Sequence, residues 1–273
     1  MSALLQDSVD LERERISSPW QAQTGQLAEA VVLAPHASPA SPPPGYSGIR
    51  EHSTPAHAFL EHSTSILFPV LFVPNVFISF ARLYELELLW LAALAIPLAL
   101  VLGDFVGGLV HWGADTYFSD DTPVVGPALI KPFRQHHIFP RDICTHTLVS
   151  IVGNVCILAV PILALCLYLL WVTQHGLLAF AILCTTLMAA ATVATNVFHK
   201  WAHQENPSAG VRWLQRMRLV LEPRHHLVHH TEPFETHYCI TNGWLNPLLN
   251  KIGFFRKLEA ILRFLGIETT NAK

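Results

Sequence analysis

The sequence predicts an all-α integral membrane protein, with four transmembrane helices in two hairpins capped by a cytosolic, histidine-rich, metal-binding region. Three observations carry this reading. Hydrophobic residues make up 51% of the 273, and Asp, Glu, Lys and Arg only 14%, against roughly 25% charged in an average soluble domain. Four long stretches are uncharged or nearly so. Sixteen histidines outnumber the 14 glycines, and most of them stand just beyond the ends of those stretches. A mean hydropathy of +0.37 argues against a disordered chain and an ordinary cytosolic enzyme. Seventeen Lys and Arg against 20 Asp and Glu leave a formal charge of -3. No basic surplus awaits a phosphate backbone, so nucleic acid is not an expected partner.

Taken in order, residues 1–60 read as a disordered N-terminal tail. An early run of alternating acids and bases gives way to an Ala/Ser/Pro stretch with Pro42, Pro43 and Pro44, which offers too little apolar surface to offset ordering entropy. No basic segment precedes an apolar core there, which argues against a signal peptide. The expected spans are about 63–81, 88–110, 147–171 and 176–198. The last two lack any charge, and each reaches the roughly 20 apolar residues that a span needs. The first two carry Pro69, Pro74 and Pro97, and the second also carries Asp104; bilayer helices tolerate such prolines. The link Val172-Thr173-Gln174-His175 makes the last two a membrane hairpin. Residues 212–221 and 244–255 are amphipathic enough to lie at the interface, with Trp at headgroup level. Residues 269–273 form a short tail. The five cysteines are odd in number and form no C-x-x-C pair, so neither a disulfide framework nor a Cys-type zinc site is indicated.

Four spans put the N-terminal segment, residues 111–146 and residues 199–273 on one side. Those segments hold 3, 3 and 10 of the 17 Lys and Arg, and only Arg82 falls on the other side. The positive-inside rule places the basic side in the cytoplasm. The destination is the endoplasmic reticulum in a eukaryote and the inner membrane in a bacterium.

That side also holds the histidine clusters: His111 with Asp115; His136 and His137; His146; His199 with His203; His225, His226, His229 and His230; and His237. Imidazole suits iron, zinc, copper and nickel. Residues three or four apart share a helix face, so His199 and His203 can reach one metal, as can His226, His229 and His230. An H-x-x-x-H pair alone is a weak signal, and a cluster could be a titrating surface patch. Several clusters at adjoining membrane exits are a different matter. Eight to ten histidines could fill two ligand shells of three or four donors each. Two oxygen-activating irons beside a bilayer suit attack on an unactivated lipid C–H bond, because such a chain has no acidic proton for a general base to take. His36, His52, His57, His62 and His175 are expected bystanders. Asp104, His111 and Asp115 are spaced i, i+7 and i+11 on one helical stripe, so Asp104 is expected to orient an imidazole from below the metal.

The segments Val110-His-Trp-Gly-Ala-Asp115, Phe133-Arg-Gln-His-His-Ile138, Phe198-His-Lys-Trp-Ala-His203, His226-Leu-Val-His-His230 and Tyr238-Cys-Ile-Thr-Asn-Gly-Trp-Leu-Asn246 resemble the Kua and CarF-like lipid desaturases, which include the plasmanylethanolamine desaturases. The resemblance covers about residues 88–265 and implies a membrane lipid desaturase domain over 61–268. It implies a di-iron enzyme that uses O2 and two electrons from a cytochrome b5-like or ferredoxin-like donor. In the plasmanyl branch a 1-O-alkyl ether phospholipid becomes a 1-O-alk-1'-enyl (plasmenyl) lipid. The implied ligands are His111, His136, His137, His146, His199, His203, His226, His229 and His230. His225 is a possible substitute for His226, His237 a further candidate, and Asp115 either a ligand or an orienting group. The chain departs from the family pattern at Thr145-His146-Thr147-Leu148. Rival expectations are an acyl-lipid desaturase or hydroxylase of the same His-ligated class, and a membrane metal transporter. A transporter should carry ionisable groups at mid-bilayer.

Overall fold

Each apolar stretch forms one long helix in the computed structural model, which describes residues 54–270. The described residues contain no strand. Helix α1 (Pro55–Glu85) starts where the Thr54 side chain accepts from the His57 N–H, with a proline in its first turn. Residues 55–60, assigned to the tail by composition, are therefore its opening turns, while residues 1–53 lie outside the described residues. Helix α2 (Trp90–Thr116) runs past the expected end of its span and carries His111 and Asp115 on its last turns. After a π-helical turn (Gly126–Ile130) comes the short α3 (Lys131–Ile138). Helices α4 (Leu148–Val172) and α5 (Gly176–His203) complete the spans.

All four long helices have the length and apolarity to cross a membrane. The chain is an integral membrane protein. Outward-facing Phe59, Ile66, Phe77, Leu158 and Trp171 are exposed, as expected where the solvent is hydrocarbon. Exposed Tyr84, Trp90, Tyr168 and Trp171 gather around the two inter-span links, and exposed Trp213 and Trp244 lie toward the histidine end, giving interfacial aromatics at both ends.

The spans connect as two hairpins, but the closest packing runs between them, α1 along α4 and α2 along α5. Small residues set this arrangement. A methyl group added at Gly103 of α2 would come within 2.8 Å of the Ala191 Cβ on α5, and one at Gly153 of α4 within 2.7 Å of the Glu61 Cβ on α1. Polar residues tie the α1–α4 and α4–α5 seams. The Asn75 side-chain amide donates to the Leu71 and Leu163 carbonyls, and Asn196 donates to the Ile151 carbonyl.

Beyond α5 the chain forms four short helices: α6 (Ala209–Arg216), α7 (Pro223–His229), α8 (Asn246–Lys251) and α9 (Phe254–Phe264). They seat on the end of the bundle through an aromatic cluster of Trp112, Tyr117, Tyr238 and Phe255, helped by the Trp112 indole donating to Glu259. This cap closes over the ends of α2 and α5, where the histidines emerge.

Candidate metal centre

Two sets of side chains converge at the junction of bundle and cap. The first is His136, His199, His203, His226 and His230, and the second is His111, Asp115, His137 and His229; within each set the donor atoms lie within 4.8 Å of one another. The i, i+4 spacing does the local work. His111 and Asp115 come from the end of α2, and His199 and His203 from the end of α5. Helix α7 is held by Glu222, whose carboxylate accepts from the Arg224 and His225 N–H groups, with Pro223 in its first turn. This cap aims His226, His229 and His230 inward. Adjacent residues His136 and His137 diverge, one into each set. Arg134 fixes α3 by pairing with Asp120 at 3.0 Å and donating to the Phe118 carbonyl.

The sets touch. His137 and His230 have ring centroids 5.3 Å apart, and His229 and His230 5.6 Å.

Hydrogen bonding decides which ring nitrogens face inward. His111 Nδ1–H donates to the Tyr238 carbonyl at 3.1 Å, and His229 Nδ1–H to the Thr236 carbonyl at 2.8 Å. A neutral imidazole has one proton, so each Nε2 presents a lone pair. Those lone pairs point at Asp115: His111 Nε2 is 3.4 Å and His229 Nε2 3.6 Å from its Oδ2, while His137 Nε2 is 3.4 Å from its Oδ1. His111 Nε2 is buried with no hydrogen-bond partner. In the other set, His203 Nε2 lies 3.0 Å from His136 Nε2, 3.2 Å from His199 Nε2 and 2.9 Å from His226 Nε2. One proton can serve only one of these three contacts. Lone pairs facing lone pairs and a carboxylate are repulsive unless a cation lies between them, and both donor sets fit metal ions.

Electrostatics agree. Burial, reinforced by neighbouring imidazoles, holds His136, His226 and His230 well below the usual histidine range. Burial lowers His229 to about 4, against the opposing pull of Asp115. These rings stay neutral at pH 7, the state in which imidazole ligates metal.

Eight of the nine expected histidine ligands therefore meet, with Asp115 among them. His146 is not in either set; its Nε2 contacts Asp142 Oδ2 at 3.0 Å, and its carbonyl accepts from Lys200. His225 accepts at Nε2 from the Asn246 amide at 2.9 Å, and His237 lies 3.1 Å from the Asn250 amide. Neither joins a set. His57, His62 and His175 lie apart in α1 and the α4–α5 link, and His36 and His52 fall outside the described residues.

Asp104 does something other than the spacing implied. Its Oδ1 accepts from the Thr241, Asn242 and Gly243 N–H groups, and its Oδ2 from Leu245. Among the described residues no hydrogen bond joins it to an imidazole, and it instead anchors the turn at 241–245. That anchor matters to the metal site, because the strand of chain leading into the turn supplies the Thr236 and Tyr238 carbonyls. Asn246 completes it, exchanging hydrogen bonds with both backbone groups of Cys239. Gly108 lets this strap approach α2, since a methyl group there would lie 2.5 Å from Cys239 Sγ. The role of Asn246 was hidden in sequence. Its only signal was a place in the Asn-Gly-Trp-Leu-Asn segment.

The lipid desaturase domain profile matches residues 100–272, which contain every donor of both sets. The chain belongs to the lipid desaturase domain family. Among its relatives, the plasmanylethanolamine desaturase of Myxococcus xanthus is 41% identical over 181 residues, covering 63% of this chain and 61% of that protein. Plasmanylethanolamine desaturase 1 of Mus musculus is 37% identical over 189 residues, 67% of this chain and 69% of that protein. The chloroplastic fatty acid desaturase 4 of Arabidopsis thaliana is 31% identical over 171 residues, 61% of this chain and 50% of that protein. The aligned region thus spans about 61% of the Myxococcus protein's length. No solved structure matches this lipid desaturase family member.

Proposed function

We propose that the protein is a membrane di-iron lipid desaturase that converts 1-O-alkyl ether phospholipids into 1-O-alk-1'-enyl products. The carrying observation is the pair of adjoining donor sets at the membrane end of the bundle, each rich enough to hold one metal. Two relatives named as plasmanylethanolamine desaturases favour an ether lipid. The reaction balances as R–O–CH2–CH2–R' + O2 + 2 electrons + 2 protons giving R–O–CH=CH–R' + 2 water. A cytochrome b5-like or ferredoxin-like donor supplies the electrons.

Bound iron would supply the oxidising power for removing hydrogen from an unactivated carbon. The chain's own residues do the rest. The Tyr238 and Thr236 carbonyls hold His111 and His229 in the tautomer that turns Nε2 inward. Asp115, among three imidazoles, brings negative charge to a cationic site. Burial keeps His136, His226, His229 and His230 neutral at pH 7. The Cys239 thiol, pushed up by its burial, stays protonated and offers no competing thiolate.

The excess of Lys and Arg on the histidine side supports a cytoplasm-facing site, in the endoplasmic reticulum of a eukaryote or the inner membrane of a bacterium. His146, His225 and His237 are assigned supporting roles, since each is engaged by a protein partner outside the donor sets. A second reading, acyl-lipid desaturation, is favoured by the Arabidopsis relative. A metal transporter is disfavoured because the histidines gather at the bundle's end and not at mid-bilayer.

Expression in plasmalogen-deficient cells followed by lipid mass spectrometry tests the reading. Acid-labile vinyl ethers should appear, and the purified protein should carry close to two metals per chain. A fully active sample with one tightly bound zinc would overturn the di-iron assignment. New acyl double bonds without vinyl ethers would transfer it to the second reading.

A further inference from the structure

Beside α7 lies a cleft of about 470 Å³ lined by Arg212, Gln215, Arg216, Arg218, Glu222 and Arg224, with Pro223. Its charge is net positive, four guanidiniums against the single carboxylate of Glu222. Both oxygens of Glu222 accept from backbone N–H groups of α7. Arg82, Arg134, Arg141 and Arg263 pair with carboxylates, but among the described residues no ion pair reaches Arg212, Arg216, Arg218 or Arg224. Four guanidiniums without a carboxylate partner in one cleft, Arg212 donating to the Pro207 carbonyl, form an anion site, because their fork geometry matches phosphate oxygens.

The cleft is also built and placed. Buried Gln215 donates to the Trp201 carbonyl, tying α6 to the end of the fourth span. The Trp244 indole donates to the Arg218 carbonyl, holding Arg218 at a φ of 54° in the left-handed region. Trp213 and Met217, 56% and 57% exposed, lie four residues apart beside Arg212 and Arg216. Apolar side chains next to guanidiniums, one short link from a membrane exit, are the composition of a bilayer surface site. The opposite wall, Pro223 and Arg224, begins the helix that carries His226 and His229.

We infer that this arginine cleft binds the phosphate of a membrane phospholipid and so fixes the headgroup of the lipid presented to the metal centre. The phosphate-binding part stands on the cleft alone; the lipid's role as substrate rests on the proposed desaturase activity.

The test uses the full-length protein in detergent and a phosphatidylethanolamine carrying a fluorescent acyl chain, read by anisotropy. The matching fluorescent diglyceride, which lacks phosphate, is the control, and inorganic phosphate is the competitor. The wild type should bind the phospholipid at least about tenfold more tightly than the diglyceride. The variant Arg216→Gln/Arg224→Gln should lose that preference while keeping its metal content, and Arg216→Lys/Arg224→Lys should restore part of it. Millimolar phosphate should displace the lipid only weakly. Equal binding of phospholipid and diglyceride, or an unaffected Gln variant with normal metal content, overturns the site. Phosphate binding without lipid preference overturns the lipid assignment. In a turnover assay, the Gln variant should raise KM and leave kcat near wild type. Lipid binding without any vinyl ether product would sink the desaturase reading and leave the cleft standing.

Discussion

Replacing Asp104 with leucine puts the cap's attachment to a direct test. A carboxylate inside a bilayer helix carries an insertion cost, so its removal would by itself be expected to help expression. The structure reverses that expectation. Asp104→Leu strips the acceptor from four backbone N–H groups, at 3.0 Å for Thr241, 3.1 Å for Asn242 and Gly243, and 3.3 Å for Leu245. A buried N–H left without a partner costs about 1–3 kcal/mol, so the three buried ones, at Thr241, Asn242 and Gly243, come to about 3–9 kcal/mol, and the half-buried Leu245 N–H adds less. The relief from removing a charge near a span's end is below about 3 kcal/mol. The loss wins, and it is large against a typical total stability of about 5–15 kcal/mol. Asp104→Asn should be milder. One oxygen can still accept from the first three N–H groups, but its amide nitrogen faces the Leu245 N–H. The assay is thermal unfolding of purified protein in detergent alongside iron content, with roughly 2–4 °C lost per kcal/mol for a domain of this size. The leucine variant should fail to accumulate as a metal-loaded protein, and the asparagine variant should unfold several degrees early. A leucine variant with wild-type melting and iron would refute the anchoring role.

Other perturbations separate ligands from bystanders. His199→Ala, His229→Ala and His230→Ala should each abolish desaturation and lower metal content while the protein still inserts in membranes, whereas His62→Ala and His175→Ala should stay active. His146→Ala should keep its metal and lose only about 1–3 kcal/mol from the broken Asp142 contact; metal analysis of that variant decides whether the family histidine is a ligand after all. The metal-free protein should be acid-sensitive with a defined sign. His229 is depressed to about 4, and His136, His226 and His230 are also lowered. The unfolded chain therefore takes up protons first, near pH 6.5. Stability should be level above about pH 6.5 and fall as pH drops toward 4, measured by denaturation midpoints; a midpoint that rises on acidification would contradict buried neutral imidazoles.

What could be read from sequence followed physical periodicity. Uncharged runs marked the four spans, because a bilayer demands continuous apolar surface. The i, i+4 pairs His199/His203 and His111/Asp115 were visible, because a helix puts such residues on one face. The partition of donors between two sets was not. His136 and His137 are neighbours in sequence, yet about 100° apart around α3, and only the docking of α3 between bundle and cap decides which set each joins. Asp104 lay on the expected stripe, but a stripe cannot say whether a carboxylate meets an imidazole or a turn of backbone N–H groups. The 55–60 segment was read with the tail because Glu61 separates it from the uncharged run that begins at residue 63, while Thr54 and Pro55 were the local signals for a helix start.

The origins of the donors explain why this centre sits at a seam. The membrane helices contribute His111, Asp115, His199 and His203, the short helix α3 contributes His136 and His137, and the cap contributes His226, His229 and His230. Each set draws on all three sources, so neither donor set is complete in the bundle or the cap alone. The Nδ1 partners of His111 and His229 come from the same strap that Asp104 and Asn246 secure. Metal binding and cap docking are therefore two views of one equilibrium. An ion that bridges donors across the seam stabilises the docked cap, and a docked cap is needed to set the tautomers that hold the ion. Weakening the strap at Asp104 should lower metal affinity with every ligand still in place, and loading metal should in turn raise the unfolding temperature of a strap-weakened variant such as Asp104→Asn. That reciprocity distinguishes a coupled centre from a preformed pocket, in which the same variant would melt early and bind metal as well as the wild type.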